Sequence, residues 1–406
     1  MSAREAAISV VRILQEAGHI AYFAGGWVRD FLMKRPSDDI DIATSASVSE
    51  VQALFDKTIP VGVAFGIVIV VHKGFQFEVA TFRKDRGYTD GRRPTGIERA
   101  TPEEDAERRD FTINGMFYDP IQQKLYDYIG GSEDIQRGVI RAIGNPHERF
   151  AEDRLRMMRA VRYSTRFNFP IEEETKRAIL AHASELLPAV AMERVWQEFK
   201  KMAQFAHFDS GLIALHKLNL LPTIFPELKG VSEKEIAQRV QYIEQFPPDA
   251  PPFASVLELF PGYSLEQIEL LADALKLSNQ ERAFAAFYHK AGALLAMPAE
   301  WRAKLEKIEW ATFYSDPDCE VCLNMIAARS RDKGFLQEHT RRRKELAGAI
   351  ERIRLKKPYL TADDLLACGV KPGVKMGQLL KEAMRIAVNE GIEDKSVLLH
   401  KLKLWN

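Results

Sequence analysis

The texture of the chain changes once, near residue 145, and that change limits the folds open to it. Before it, short runs rich in Val, Ile and Phe alternate with helical stretches. Ile20 to Ala24, Asp39 to Thr44, Ile67 to His72 and Phe75 to Arg83 read as strands. The last two flank Lys73-Gly74, a tight hairpin turn. Ser2 to Ala17 reads as an amphipathic helix ending at Gly18. After residue 145 the apolar spacing is helical almost everywhere, punctuated at Pro188, Pro222, Pro226, the cluster from Pro247 to Pro252, Pro298 and Pro358. No fixed-period repeat or low-complexity tract interrupts it. At 406 residues the chain is too long for one ordinary core. The pattern predicts an α+β protein: a small mixed sheet with helices, followed by a long all-α remainder.

Composition narrows the setting. Hydrophobic residues at 46% and charged residues at 28% are the balance of a soluble globular protein. The longest apolar runs, such as Ile67 to Val71, fall far short of the ~20 residues that cross a bilayer. The opening residues lack the apolar core of a signal peptide and the arginine-rich bias of a transit segment. Three cysteines cannot build a disulfide framework, and Cys319-x-x-Cys322 lacks the further ligands of a zinc site. A reduced, cytoplasmic protein is expected, with no membrane attachment and no protein partner implied.

The densest chemistry lies in Asp39-Ile40-Asp41-Ile42. On a strand, Asp39 and Asp41 point one way while Ile40 and Ile42 enter the core. Two adjacent carboxylates repel unless a cation sits between them, and Mg²⁺ takes carboxylate oxygens while bridging to substrate phosphates. Glu78 alternates with Phe77 and Val79; on a neighbouring strand it would be a third acid aimed at the same spot. Three acids over two metals suit nucleotidyl transfer. Upstream, a strand ends in Gly25-Gly26 and a helix follows, with Arg29 on its first turn. Glycines let a phosphate approach the backbone, and arginine adds a forked donor.

These residues resemble the opening motif of the class II tRNA nucleotidyltransferase and bacterial poly(A) polymerase family, in Gly25-Gly26-Trp-Val-Arg29-Asp30 and Asp38-Asp39-Ile-Asp41-Ile-Ala-Thr44. Further matches follow in order. Phe77-Glu78 to Arg83 is similar to the strand bearing the third carboxylate, and Arg108-Arg109-Asp110-Phe-Thr-Ile-Asn114 to the ribose-and-phosphate motif. Glu152-Asp153-Arg-Leu-Arg156-Met-Met-Arg159-Ala-Val-Arg162 is similar to the nucleobase-reading helix. Gly115 and Tyr163 stand where the family more often has alanine and phenylalanine. The resemblance implies a polymerase-β-like head over residues 1–145. A helical neck at 146–205, a body at 206–318 and a tail at 319–406 would follow. It implies Asp39, Asp41 and Glu78 as catalytic, the first two as metal ligands. Gly25, Gly26, Arg29, Arg108, Arg109, Asp110, Asn114, Asp153, Arg156, Arg159 and Arg162 would bind nucleotide. Arg109 would meet the triphosphate and Asp110 the ribose, supported by Asn114.

A helix from about His147 to Phe167 would put Asp153 and Arg156 on one face, continued by Arg159 and Arg162, with Leu155, Met158 and Val161 as core. Cytosine and adenine both offer an amino donor beside a ring-nitrogen acceptor. A carboxylate and an arginine fit both, whereas uracil and guanine would leave them unpaired. Glu193-Arg194-Val-Trp196 starts another amphipathic helix, where Arg194 would brace the base-reading one. The polar stretch from Arg83 to Glu107, with Asp90-Gly91-Arg92-Arg93-Pro94, reads as a long loop. The resemblance ties this loop to addition of the terminal A, and its full length weighs against a CC-only enzyme.

From Arg329 to Lys357 there are 11 basic residues against 4 acidic ones, a local net of +7 that would follow a phosphate backbone. Arg341, Arg342 and Arg343 lie within it. Gly369-Val-Lys371-Pro-Gly-Val-Lys375, a glycine-punctuated turn with two lysines, would hold a further phosphate. The expected activity is CCA addition to tRNA from CTP and ATP by two Mg²⁺ ions with release of pyrophosphate. The segment Ile59 to Val71 is similar to the CCA-adding branch. The alternatives within the family are a poly(A) polymerase or an enzyme adding only A. From another class, the alternative is a catalytically silent RNA-binding protein, against which the intact carboxylates argue.

Overall fold

The structure, a computed structural model, describes residues 1–88, 94–330 and 332–404. It divides into two compact units, Met1–Gln238 and Arg239–Asn406. The segments 1–145 and 146–205 lie together in the first unit, and the unit boundary falls inside 206–318.

The first unit opens with α1 (Ala3–Glu16), capped by Ser2 and Glu5 in a reciprocal box and closed near Gly18. Its buried face, Ala6, Ala7, Val10, Val11 and Leu14, covers a seven-stranded mixed sheet. The strands are β1 (Ala21–Ala24), β2 (Asp41–Thr44), β3 (Thr58–Gly62), β4 (Ile67–His72), β5 (Phe75–Thr81), β8 (Phe117–Asp119) and β9 (Lys124–Tyr126), in the order β3-β4-β5-β2-β1-β8-β9. β2 and β5 run parallel with Ile42 opposite Val79, while the other neighbours run antiparallel. The turn joining β4 to β5 has Lys73 and Gly74 at φ 51° and 85°, the left-handed pair a two-residue hairpin needs. Alternation along β1 sends Phe23 to the core under α1 and Tyr22 and Ala24 to a second cluster with Phe82, Ala106 and Phe117. Two short helices complete the frame: α2 (Gly26–Leu32) and α3 (Val48–Leu54).

Two local expectations are corrected. Residues 83–107 are not a long irregular loop. β6 (Arg83–Tyr88) and β7 (Pro94–Arg99) pair as a separate antiparallel hairpin, and α4 (Pro102–Glu107) follows, started by a Thr101/Glu104 capping box. Asp90, Gly91, Arg92 and Arg93 lie outside the described residues. The helix expected over 147–167 is two helices, α6 (Pro146–Glu152) and α7 (Leu155–Phe167), after α5 (Gly131–Arg137). Asp153 stands in the break with extended backbone, φ −142° and ψ 105°. The cause is local: Asp153 Oδ1 accepts from the Leu155 N–H at 3.0 Å, so the carboxylate competes for a donor that a continuous helix would use internally. Leu155, Met158 and Val161 are buried, as their spacing predicts. Then come α8 (Glu173–His182) and α9 (Met192–Met202).

All the regular structure among the described residues of the second unit is helical, through to Lys395–Lys401. Trp310, Tyr314, Leu323, Leu360, Leu365 and Leu398 anchor its core. Cys319 and Cys322 are buried in that unit, and burial pushes both thiols up, Cys319 to about 12. They are packing residues with little thiolate character. Among the described residues, no helix is long and apolar enough to cross a membrane.

Candidate active site

A cavity of about 580 Å³ in the first unit gathers the turn after β1, the start of β2, the segment after α4 and the first half of α7. Gly25, Gly26, Arg29, Asp39, Asp41, Arg108, Arg109, Asp110, Asn114, Asp153, Arg156 and Arg159 all line it. Glu78 and Arg162 do not. A larger cavity, about 720 Å³ in the second unit, has Arg302, Lys307, Trp310 and Tyr359 on its wall but no paired aspartates.

At one end sit the two aspartates. Ile40 and Ile42 are buried, so Asp39 and Asp41 share the opposite face. Gly25 adopts φ 64°, and a Cβ there would lie 3.2 Å from Arg109 Nη1 and 3.8 Å from Asp41 Oδ2. The positive φ favours glycine, and a side chain there would crowd the Arg109 guanidinium. Glu78 lies one residue before the Ile42–Val79 pair on β5, beside Asp41, with its side chain exposed. Burial, then Glu78, then Asp39 push the Asp41 carboxyl up to about 7, against the opposing pull of Arg109. Among the described residues no three His, Cys, Asp or Glu side chains are set to hold a metal ion unaided. The crowded pair nevertheless fits a hard divalent cation that takes its other ligands from phosphate and water. Two mutually repelling carboxylates have an unmet need for positive charge.

Arginines dominate the rest of the wall, and each is held by an acid. Asp105, 1% exposed, takes Arg108 at 2.8 Å and Arg109 at 3.0 Å, and accepts the Arg83 N–H at 3.1 Å. Burial acts against its charge, but Arg109 and Arg108 hold its pKa below the usual carboxylate range. Arg29 is 3% exposed, donating to Asp30 at 2.9 Å and to Asn114 Oδ1 at 2.6 Å. It is more a tether of α2 than a free phosphate donor. Asp30 also takes Arg166 at 3.0 Å, joining α2 to α7. Asp110 accepts Arg159 Nε at 2.7 Å, Asn114 Nδ2 at 3.1 Å and the Phe111 N–H at 2.8 Å. Burial opposes its ionisation, yet Arg159, Asn114 and Arg156 outweigh it and bring the carboxyl down to about 2.

At the far end is the α6–α7 break. Asp153 Oδ2 faces Arg194 of α9 at 3.4 Å. Arg156 donates to Glu152 at 2.6 Å and to the carbonyls of Arg149 and Arg108 at 3.0 and 3.2 Å. Arg162 turns away from the cavity to Glu198 of α9, a buried pair at 2.6 Å, with its guanidinium 4.3 Å from the Tyr163 ring centroid.

Sequence reasoning missed several members. Tyr163 and Arg166 line the cavity, and Asp85 enters it from the hairpin. Asp105 falls inside the stretch that reads as a loop; its signal is the i+3, i+4 spacing to Arg108 and Arg109 on a capped helix. In the second unit the basic stretch is partly spent. Arg342 lies 4.2 Å from the Trp310 ring centroid and pairs with Glu338 at 2.6 Å. Arg343 meets Glu320 at 3.1 Å and Arg341 meets Glu345 at 3.4 Å; Arg341, Lys371 and Lys375 are exposed.

The Asp41 shift has a defined pH signature. The unfolded chain ionises Asp41 above its ordinary value of 3.8, while the fold keeps the proton until about 7. Stability is therefore lost as pH rises from about 4 to 7, with no penalty below 4. In metal-free buffer Asp41→Asn is expected to melt a few degrees above the wild type at pH 8 and level with it at pH 4. A melting curve showing the same difference at both pH values would contradict the charge crowding.

The chain is similar to known proteins in sequence and in fold. A family model described as poly A polymerase head domain matches residues 21–141, and one described as probable RNA and SrmB-binding site of polymerase A matches 168–231. The CCA-adding enzyme of Ligilactobacillus salivarius is 33% identical over 98% of this chain and 95% of its own length. That of Bacillus cytotoxicus is 35% identical over 75% and 80%. With the Anoxybacillus flavithermus enzyme, identity rises to 42%, but the match spans 57% of each chain. A crystal structure of the Bacillus stearothermophilus CCA-adding enzyme in complex with CTP superposes with a TM-score of 0.81 at 28% identity, covering 99% of this chain and 98% of that one.

Proposed function

This chain belongs to the family of CCA-adding enzymes, and from that premise we propose that it adds CCA to the 3′ end of tRNA from CTP and ATP, without a nucleic-acid template, releasing pyrophosphate. The observation that carries the reading is the polarity of one cavity. Two crowded aspartates stand at one end, acid-held arginines run along the wall, and a carboxylate and an arginine stand at the other end. A nucleoside triphosphate has the matching order of groups.

Asp39 and Asp41 would hold Mg²⁺, which when bound supplies charge neutralisation on the triphosphate and a more acidic 3′-hydroxyl on the RNA. Glu78 adds negative potential beside Asp41 without lining the cavity. Arg109, positioned by Asp105, faces the Gly25 turn and is placed to meet phosphate oxygens. Asp110 stays ionised, hence acceptor-only, and suits a ribose hydroxyl; Asn114 holds it in place. Asp153 Oδ2 would accept from the amino group of cytosine or adenine while Arg156 donates to the ring nitrogen. Uracil and guanine present the wrong partners at both atoms and are excluded by the cost of unpaired groups. Arg162 supports this arrangement through Glu198 and does not touch the nucleotide. We retain the division into head, neck, body and tail as part of this reading, and the cytoplasm as the place of action.

The direct test supplies Mg²⁺, CTP, ATP and a tRNA lacking its 3′ CCA. Both nucleotides are expected to be incorporated in order, with no extension of generic RNA. Asp39→Ala and Asp41→Ala are each expected to abolish transfer while melting like the wild type or higher. Incorporation of ATP alone would make this an A-adding or poly(A) enzyme, and turnover above a few per cent in either variant would overturn the metal assignment.

The RNA contacts in the second unit are proposed at Arg341, Lys371 and Lys375, which are exposed. Arg343 is half engaged by Glu320, and Arg342 supports Trp310. Changing Arg341, Lys371 and Lys375 to Glu together should weaken tRNA binding. The salt dependence should fall by roughly one unit of log–log slope for each phosphate no longer neutralised. An unchanged slope would remove this surface from the RNA path.

A further inference from the structure

The break that carries Asp153 is braced from outside the cavity. A helix that stops leaves carbonyl groups without partners. At the end of α6 one of them is taken by an arginine: Arg154 Nη1 donates to the Ala151 carbonyl at 2.6 Å, while Arg156 Nη1 adds a second donor, at 3.0 Å, to the Arg149 carbonyl that already accepts the Asp153 N–H at 3.3 Å. The other arm of Arg154 donates to Glu185 Oε2 at 2.9 Å, on the short turn Ala183–Glu185 that follows α8. Glu185 Oε1 meets His182 Nδ1 at 3.0 Å, and His182 Nε2 lies 3.1 Å from His147 Nδ1, back on α6. The Glu185 carboxylate accepts, so His182 Nδ1 donates to it, and a second hydrogen bond joins the two imidazole rings through His182 Nε2 and His147 Nδ1. The chain of contacts is closed: α6 to α8, to the turn after it, to Arg154 and to the end of α6 again. None of Arg154, Glu185, His182 or His147 lines the cavity.

The apolar spacing of residues 147–167 is compatible with one uninterrupted helix, yet the chain breaks at Asp153. A continuous helix would swing the Asp153 carboxylate out of its extended-backbone position. We propose that Glu185, acting through Arg154 and aligned by His182, is a positioning residue for base choice: it keeps the break open and so keeps Asp153 aimed into the cavity. This rests on the reading that Asp153 contacts the base. The pair is half exposed, with side-chain exposures of 22% and 42%, so it adds little to folding and its effect is local.

Single-nucleotide incorporation of CTP and UTP on CC-lacking tRNA tests this, using Glu185→Gln, Glu185→Asp, Asp153→Ala and the double variant Asp153→Ala/Glu185→Gln. Glu185→Gln is expected to lower discrimination between CTP and UTP roughly ten- to a hundredfold, the scale of a misplacement of about 1 Å. Its melting temperature should stay at the wild-type value, and Glu185→Asp should restore part of the selectivity. In the Asp153→Ala background the same change is expected to add nothing, because the two act as one unit. Unchanged discrimination in Glu185→Gln, or an equal further loss in the double variant, overturns the positioning role and leaves the base-reading role of Asp153 intact. Full discrimination in Asp153→Ala itself overturns both.

Discussion

The ion pair between Asp110 and Arg159 is the constraint on which the first unit depends. A carboxylate 9% exposed has lost most of its water, and it stays ionised only because Arg159, Asn114 and a backbone N–H replace that hydration. Arg159 belongs to α7, and Asp110 to the segment that leads from α4 back to β8. Separating the two would strand a buried charge, so the helix and the sheet edge move as one. Asp30 repeats the device by holding Arg29 and Arg166 together. With α7 fixed in this way, the distance from Asp41 at the start of β2 to the break at Asp153 is set by rigid elements.

The same residue type does opposite work at two places in the cavity. Asp110 is held near 2 by cations already in place, while Asp41 is pushed near 7 by burial and by two acids. One is a finished interaction and the other an unfinished one. Environment separates two carboxylates into two roles, one structural and acceptor-only, the other awaiting a cation. The arginines follow the same division. Arg29, held by Asp30 and Asn114, shapes the wall, and Arg162 is spent on Glu198 behind it; Arg109 keeps an edge toward the Gly25 turn.

Much of this was legible in the sequence, for physical reasons that differ along the chain. Alternation is a strong signal on short strands, so Asp39 and Asp41 could be placed on one face with Ile40 and Ile42 in the core. The glycine pair was legible because its backbone has few other uses. The break at Asp153 was not legible, since helical periodicity reads straight through it and only the Asp153-to-Leu155 bond and the Arg154 cap reveal the stop. Arg162 carried the spacing of its neighbours but turns to Glu198, 36 residues away, a partner no local pattern announces. The hairpin of β6 and β7 was hidden by its composition. Arg83, Lys84, Asp85 and Arg86 pair with Arg99, Glu98, Ile97 and Gly96, and so polar a strand reads as a loop.

If protein side chains alone choose the base, the choice should already exist before RNA arrives. The most direct measurement is equilibrium binding of CTP, ATP, UTP and GTP to the full chain in Mg²⁺ without tRNA. The account expects CTP and ATP to bind with similar affinity, and UTP and GTP to bind at least about a hundredfold more weakly, because each leaves a buried donor and acceptor unpaired. Four nucleotides binding within a factor of a few would mean that the arginine wall reads the triphosphate alone, and that Asp153 and Arg156 do not select the base.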